Sequence, residues 1–81
     1  MAKPTTTIET LTDDQIISLR GTAAEVGDLL QVAICDRALD RFNRRAACGT
    51  LSAAERGRVA RMTITAARAE CARVIREGET P

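Results

Sequence analysis

Three cysteines, two close aspartate pairs and eleven arginines are the groups from which this chain could build chemistry. A serine or cysteine nucleophile needs a neighbouring base, and the sequence contains no histidine. That absence removes the usual proton shuttle near neutral pH together with the commonest metal ligand. The remaining bases are carboxylates and Lys3, which stands in a start of the chain that has no periodic apolar face. Asp13 and Asp14 fall where the first turn of a helix is expected, and the helix dipole already accounts for negative charge there. Asp36 and Asp40, four apart, mark a solvated helix face. Gly21, Gly27, Gly49 and Gly57 are scattered and form no phosphate-cradling loop. Cys35, Cys48 and Cys71 are odd in number and widely spaced, which matches no paired zinc-ligand pattern. The expectation is a protein that is not an enzyme, with no cofactor and no metal.

The same cysteines carry a reading about compartment. No signal peptide precedes them, so reduced thiols acting as small core hydrophobes in the cytoplasm are expected. No apolar run approaches the roughly 20 residues of a membrane span, so no membrane partner is expected.

The arginines are the one feature with a functional reading. The chain of 81 residues has a formal charge of +1, but the charge is unevenly spread. Residues 1–40 hold seven acids against Lys3, Arg20 and Arg37. Residues 41–68 hold seven arginines against Glu55 alone. Arg41, Arg44 and Arg45 precede the Gly49 turn, and Arg56, Arg58 and Arg61 follow it. In an antiparallel helical hairpin both groups would gather at one tip. Planar guanidinium forks suit carboxylates and phosphates, so these six are the candidate partner-binding residues. The tip has three readings: a solvated face, a contact for an acidic protein surface, or a contact for nucleic acid. With Phe42 the single aromatic, base stacking has little to work with.

Helices must position these groups, because a core of Ala, Leu, Ile and Val with a single aromatic in the whole chain suits helix packing better than a sheet. Thr12 and Gln15 form a capping-box signature, and Ile16, Leu19, Ala23 and Val26 give the apolar side of a helix over 12–26 that Gly27 ends. Asp28 can cap a second helix over 28–47, with Val32, Cys35, Leu39, Phe42 and Ala46 on its seam and Gly49 as its stop. Ser52 and Glu55 repeat the capping box for a third helix over 52–77. Leu51 stands at the outer staple position, where its partner would be the aliphatic stem of Arg56. Ala53, Gly57, Ala60, Ile64, Ala67, Cys71 and Val74, alternately four and three apart, mark one seam along that helix. The β-branched stretch Thr63-Ile64-Thr65 allows a break near 62–65. Short connections make sequential helices antiparallel neighbours, so the expected fold is all-α, a small three-helix bundle. Residues 1–10 read as a disordered lead-in, 11–78 as a single helical domain and 79–81 as a tail. The small-residue seam either packs within the monomer or seats a partner helix or second copy, which leaves a homodimer open.

Two blocks, LTDDQIISLR with GDLLQVAICDRAL and then ARAECARVIRE, resemble a set of small bacterial and phage-borne proteins of unknown function. Those tend to read T-D-x-Q-I-x-x-L-R, then G-D, then C-x-R-A-L, and end A-x-x-E-C-x-R-V-I. Thr12, Asp13, Gln15, Ile16, Leu19, Arg20, Gly27, Asp28, Cys35, Arg37, Ala38, Leu39 and Glu70 to Ile75 carry the match, about half of the chain. In that pattern the last block follows the second closely. Here residues 41–65 intervene and contain most of the basic block. The resemblance implies a small helical protein from a bacterial or mobile-element setting and implies no activity or site. Together with the arginines it leads to an expected non-enzymatic, regulatory protein–protein interaction module, such as a phage or mobile-element protein that modulates a host system. The alternative is a small nucleic-acid-binding protein that uses the arginine-rich tip.

Overall fold

The computed structural model describes residues 11–79 and is all-helical there, with four helices and no strand. The expected lead-in at 1–10 and the last two residues of the expected tail lie outside the described residues. The helices are α1 (Asp13–Val26), α2 (Leu29–Ala38), α3 (Ala53–Arg61) and α4 (Ile64–Glu79). The three-helix expectation is therefore corrected at two places, each with a local cause.

The first helix forms where the caps place it. The Gln15 amide donates to Thr12 Oγ1 at 3.2 Å, and the Thr12 amide donates to Gln15 Oε1 at 2.8 Å. At the other end Gly27 takes φ 79°, and the Asp28 amide reaches back to the Ala23 carbonyl at 2.9 Å. That is a left-handed glycine closing a Schellman motif. Asp28 then caps α2 by accepting from the Gln31 amide at 3.2 Å.

The second helix stops at Ala38, nine residues before the expected 47, and Gly49 is not what ends it. Asp40 adopts φ 59°. Its amide donates to the Arg37 carbonyl at 3.0 Å, and the Arg41 amide to the Asp36 carbonyl. Asp40 thus does for α2 what Gly27 does for α1, since aspartate is among the few side chains that tolerate the left-handed region. Residues 39–52 then run through successive turns. Asn43 Oδ1 accepts from the Arg45 and Ala46 amides, and Cys48 and Leu51 form an isolated bridge.

The third expected helix breaks at Met62–Thr63, inside the window that the sequence allows. Met62 is extended (φ −72°, ψ 141°), and Thr63 Oγ1 accepts from the Ala66 amide at 3.0 Å, capping α4. The break splits the anticipated seam. In α3 the buried residue is Val59 rather than Ala60, while Ala53 is exposed. In α4 the buried set is Ala67, Cys71 and Ala72, and Ile64 is exposed. α4 continues to Glu79, past the expected end at 77.

α2 packs against each of the other three helices, and α1 also meets α4. Ile16, Ile34, Cys35, Val59, Ala67 and Cys71 lie at the centre of the core, all but Ile34 fully buried. Leu51 is buried from the turn segment, and Phe42 and Ala47 are partly buried against the core. Of the expected α1 face, Ile16 and Ala23 are buried but Val26 is 74% exposed. Ala46, expected on the α2 seam, is exposed as well.

Candidate interaction surface

With α2 ending at Ala38, no long hairpin tip forms. Arg41, Arg44 and Arg45 sit on the turn segment, and Arg56, Arg58 and Arg61 sit on α3. Asn43 orients the first part of this surface. By accepting two backbone amides it fixes the turn that carries Arg44 and Arg45. Ser52 orients the second, through a capping box in which the Glu55 amide donates to Ser52 Oγ at 3.1 Å.

Arg41, Arg44, Arg45, Arg58 and Arg61 are exposed, and among the described residues their guanidinium groups make no hydrogen bond or ion pair. Arg61 lies back over Gly57, whose missing Cβ leaves it room. Arg58 contributes a favourable field at Glu70. Arg56 differs from these five. It is half-buried, and its Nη1 donates to the Leu51 carbonyl at 2.7 Å. The staple position is thereby tied by a hydrogen bond, and the guanidinium is already engaged.

Three arginines that the spacing did not single out also hold the molecule together. Arg20 Nε donates to Asp36 Oδ1 at 2.7 Å, joining α1 to α2. Arg37 Nε donates to the Met62 carbonyl at 2.7 Å, holding the break between α3 and α4 against α2. Arg68 donates to the Leu11 carbonyl, to the Ala38 carbonyl at 3.4 Å and to Asp13 Oδ1 at 3.0 Å. Ala38 and Met62 end helices, where carbonyls lack intrahelical partners and the dipole favours cations. A cation expected near a helix end is thus a sequence signal for such a tie, but which end it serves depends on the fold.

On α4, Arg73 pairs with Glu77 at 2.8 Å and with Glu70. Its hydrogen bonds hold the Glu70 carboxyl below the usual glutamate range. A cleft of about 330 Å³ separates α2 from the turn segment, with Leu29, Val32, Phe42 and Leu51 as apolar walls and Arg41 beside them. Among the described residues no cluster of three or more Cys, Asp or Glu is placed to hold a metal, and no helix is long and apolar enough to cross a membrane.

No family model, curated protein or solved structure matches the chain.

Proposed function

We propose that this protein is a non-enzymatic binding module that engages an acidic protein surface through Arg41, Arg44, Arg45, Arg58 and Arg61. One observation carries the reading. Arg20, Arg37, Arg56, Arg68 and Arg73 are occupied by carbonyls or carboxylates, whereas these five are exposed on the turn segment and α3 and their forks have no partner among the described residues. A guanidinium offers five donors in a fixed plane that matches a carboxylate two at a time. Arg41 adds an apolar neighbourhood to the charge, because Leu29 and Phe42 line the cleft beside it. The single aromatic is half-buried against the core, which disfavours a single-strand nucleic-acid partner that needs a stacking platform. The resemblance to small bacterial and phage-borne proteins suggests that such a module modulates a larger bacterial or mobile-element assembly.

The test is capture from nuclease-treated lysate of the source cells by the immobilised protein and by an Arg44→Glu/Arg45→Glu/Arg58→Glu/Arg61→Glu variant. The expected result is a protein with an acidic surface, retained by the parent and lost from the variant, with helicity unchanged by circular dichroism. Retention of DNA or RNA by the parent before nuclease treatment, weakening steeply with salt and leaving no protein afterwards, would replace the acidic protein by nucleic acid.

A further inference from the structure

Cys35 on α2 and Cys71 on α4 face each other in the centre of the core. Both are completely buried, both are free thiols, and their sulfurs are 3.8 Å apart. Gln31, one turn before Cys35, is the single buried polar side chain among the described residues. Its Nε2 points at both sulfurs, 3.5 Å from Cys35 Sγ and 3.8 Å from Cys71 Sγ. A neutral thiol is a poor acceptor, so an amide donor would gain little by being buried there for packing alone. Against a thiolate the same donor becomes a charge-assisted hydrogen bond.

We propose that Cys35 and Cys71 are a redox pair that forms a reversible intramolecular disulfide, locking α2 to α4. Closing the bond asks the sulfurs to approach by about 1.8 Å, to the roughly 2.05 Å of a disulfide. They start in van der Waals contact, with nothing between them. In the closed core Cys35 is the more acidic of the two thiols. The hydrogen bond from Cys71 lowers its pKa most, Gln31 and the charge of Arg20 add to this, and burial and the charge of Asp36 oppose it. The Cys71 thiol is raised by its bond to Cys35 and by burial.

The oxidant is a small disulfide such as oxidised glutathione. In an opened state one of the two cysteines, as its thiolate, attacks one of the glutathione sulfurs, the S–S bond breaks, and one glutathione thiolate leaves and takes a proton. As the helices close, the other cysteine loses its proton and attacks the cysteine sulfur of the mixed disulfide, releasing the second glutathione as a thiol. Two cysteine thiols are oxidised and one small disulfide is reduced to two thiols. Because both sulfurs are buried, exchange proceeds from a locally opened state in which α4 lifts from α2, and it is slow.

The cysteines are 36 positions apart in sequence. The closed loop contains the turn segment, α3 and the five arginines of the candidate interaction surface. Oxidation therefore constrains the whole candidate interaction surface, whatever that surface binds.

The test uses the full chain carrying Cys48→Ser, which removes the one exposed thiol. It is equilibrated in reduced and oxidised glutathione with enough urea to populate local opening but not unfolding, then quenched in acid. The expected product has lost two hydrogens by intact mass, yields a Cys35–Cys71 cross-linked peptide and returns to the dithiol in dithiothreitol. Its thermal midpoint is expected to rise by more than about 10 °C, as closing a loop of this length implies. Stable glutathione adducts on Cys35 or Cys71 without the cross-link would overturn the proposal. So would two unmodified thiols at a potential where a solvent-exposed dithiol is fully oxidised.

Discussion

The packed region of α1, α2 and α4 and the segment from Leu39 to Arg61 treat arginine in opposite ways. In the packed region Arg20, Arg37 and Arg68 end on Asp36, the Met62 carbonyl and the Leu11 and Ala38 carbonyls. In the segment, five of six arginines are exposed and have no hydrogen-bond or ion-pair partner among the described residues. Residue type does not separate the two sets. What separates them is whether the fold brings an orphaned carbonyl or a carboxylate within reach. Helix ends that abut other helices create such acceptors, and a chain of consecutive turns satisfies its own carbonyls locally, as Ala47 does by accepting from Thr50 and Leu51.

Breaking the packed side should produce the largest effects. Ile16→Ala removes most of a completely buried side chain shared by α1 and the core. It should cost about 2–5 kcal/mol, enough to unfold much of the population at 37 °C in urea titrations followed by circular dichroism. Arg68→Ala leaves the Leu11 and Ala38 carbonyls without their donor and should cost about 1–3 kcal/mol in the same titration. Arg68→Lys should recover only part of that, because one ammonium does not reproduce a planar fork.

On the other side of the comparison, Arg44→Ala and Arg45→Ala should each change stability by no more than about 0.5 kcal/mol. A loss comparable with that of Arg68→Ala would erase the distinction between the two sets.

The end of α2 sharpens the comparison, because it is where one region becomes the other. Asp40→Gly should keep or raise stability by up to about 1 kcal/mol, since glycine takes φ 59° without strain. Asp40→Val should lower it by about 1–2 kcal/mol, because a β-branched side chain resists that conformation. Equal midpoints for the two variants would mean that α2 does not end by this device.

The smallest effect expected is a pH dependence. The Glu70 carboxyl is held below its unfolded value by Arg73, so its contribution is complete above the ordinary value of 4.5 and lost as pH falls through the depressed one. The pair is partly exposed, so screening keeps the effect small. Thermal midpoints of Glu70→Gln and parent should converge as the solution is made acidic.

How much of this was legible in the sequence depends on the range of the interaction. Capping is local, and Thr12 with Gln15, Asp28, Gly27 and Ser52 with Glu55 are readable as caps because donor and acceptor lie within three or four residues. The end of α2 was not readable in that way. Apolar residues continue past it at Leu39, Phe42 and Ala46, and aspartate in the left-handed region is an uncommon choice that the surrounding turns enforce. The break at Met62 was only half visible. The β-branched residues advertised weakness, but the extended Met62 is held by Arg37 from 25 positions away. The six basic-block residues were identified by density. Density did not distinguish Arg56, whose acceptor depends on where Leu51 is buried.

The division among the arginines is the central claim, and their Nε–Hε groups report it directly in a ¹H–¹⁵N spectrum of the free protein. Arg20 and Arg37 each donate through Nε at 2.7 Å. They should give shifted resonances whose exchange with water is slow, while those of Arg41, Arg44, Arg45, Arg58 and Arg61 should collapse together and exchange fast. Slow, dispersed signals from those five, or fast ones from Arg20 and Arg37, would contradict the account.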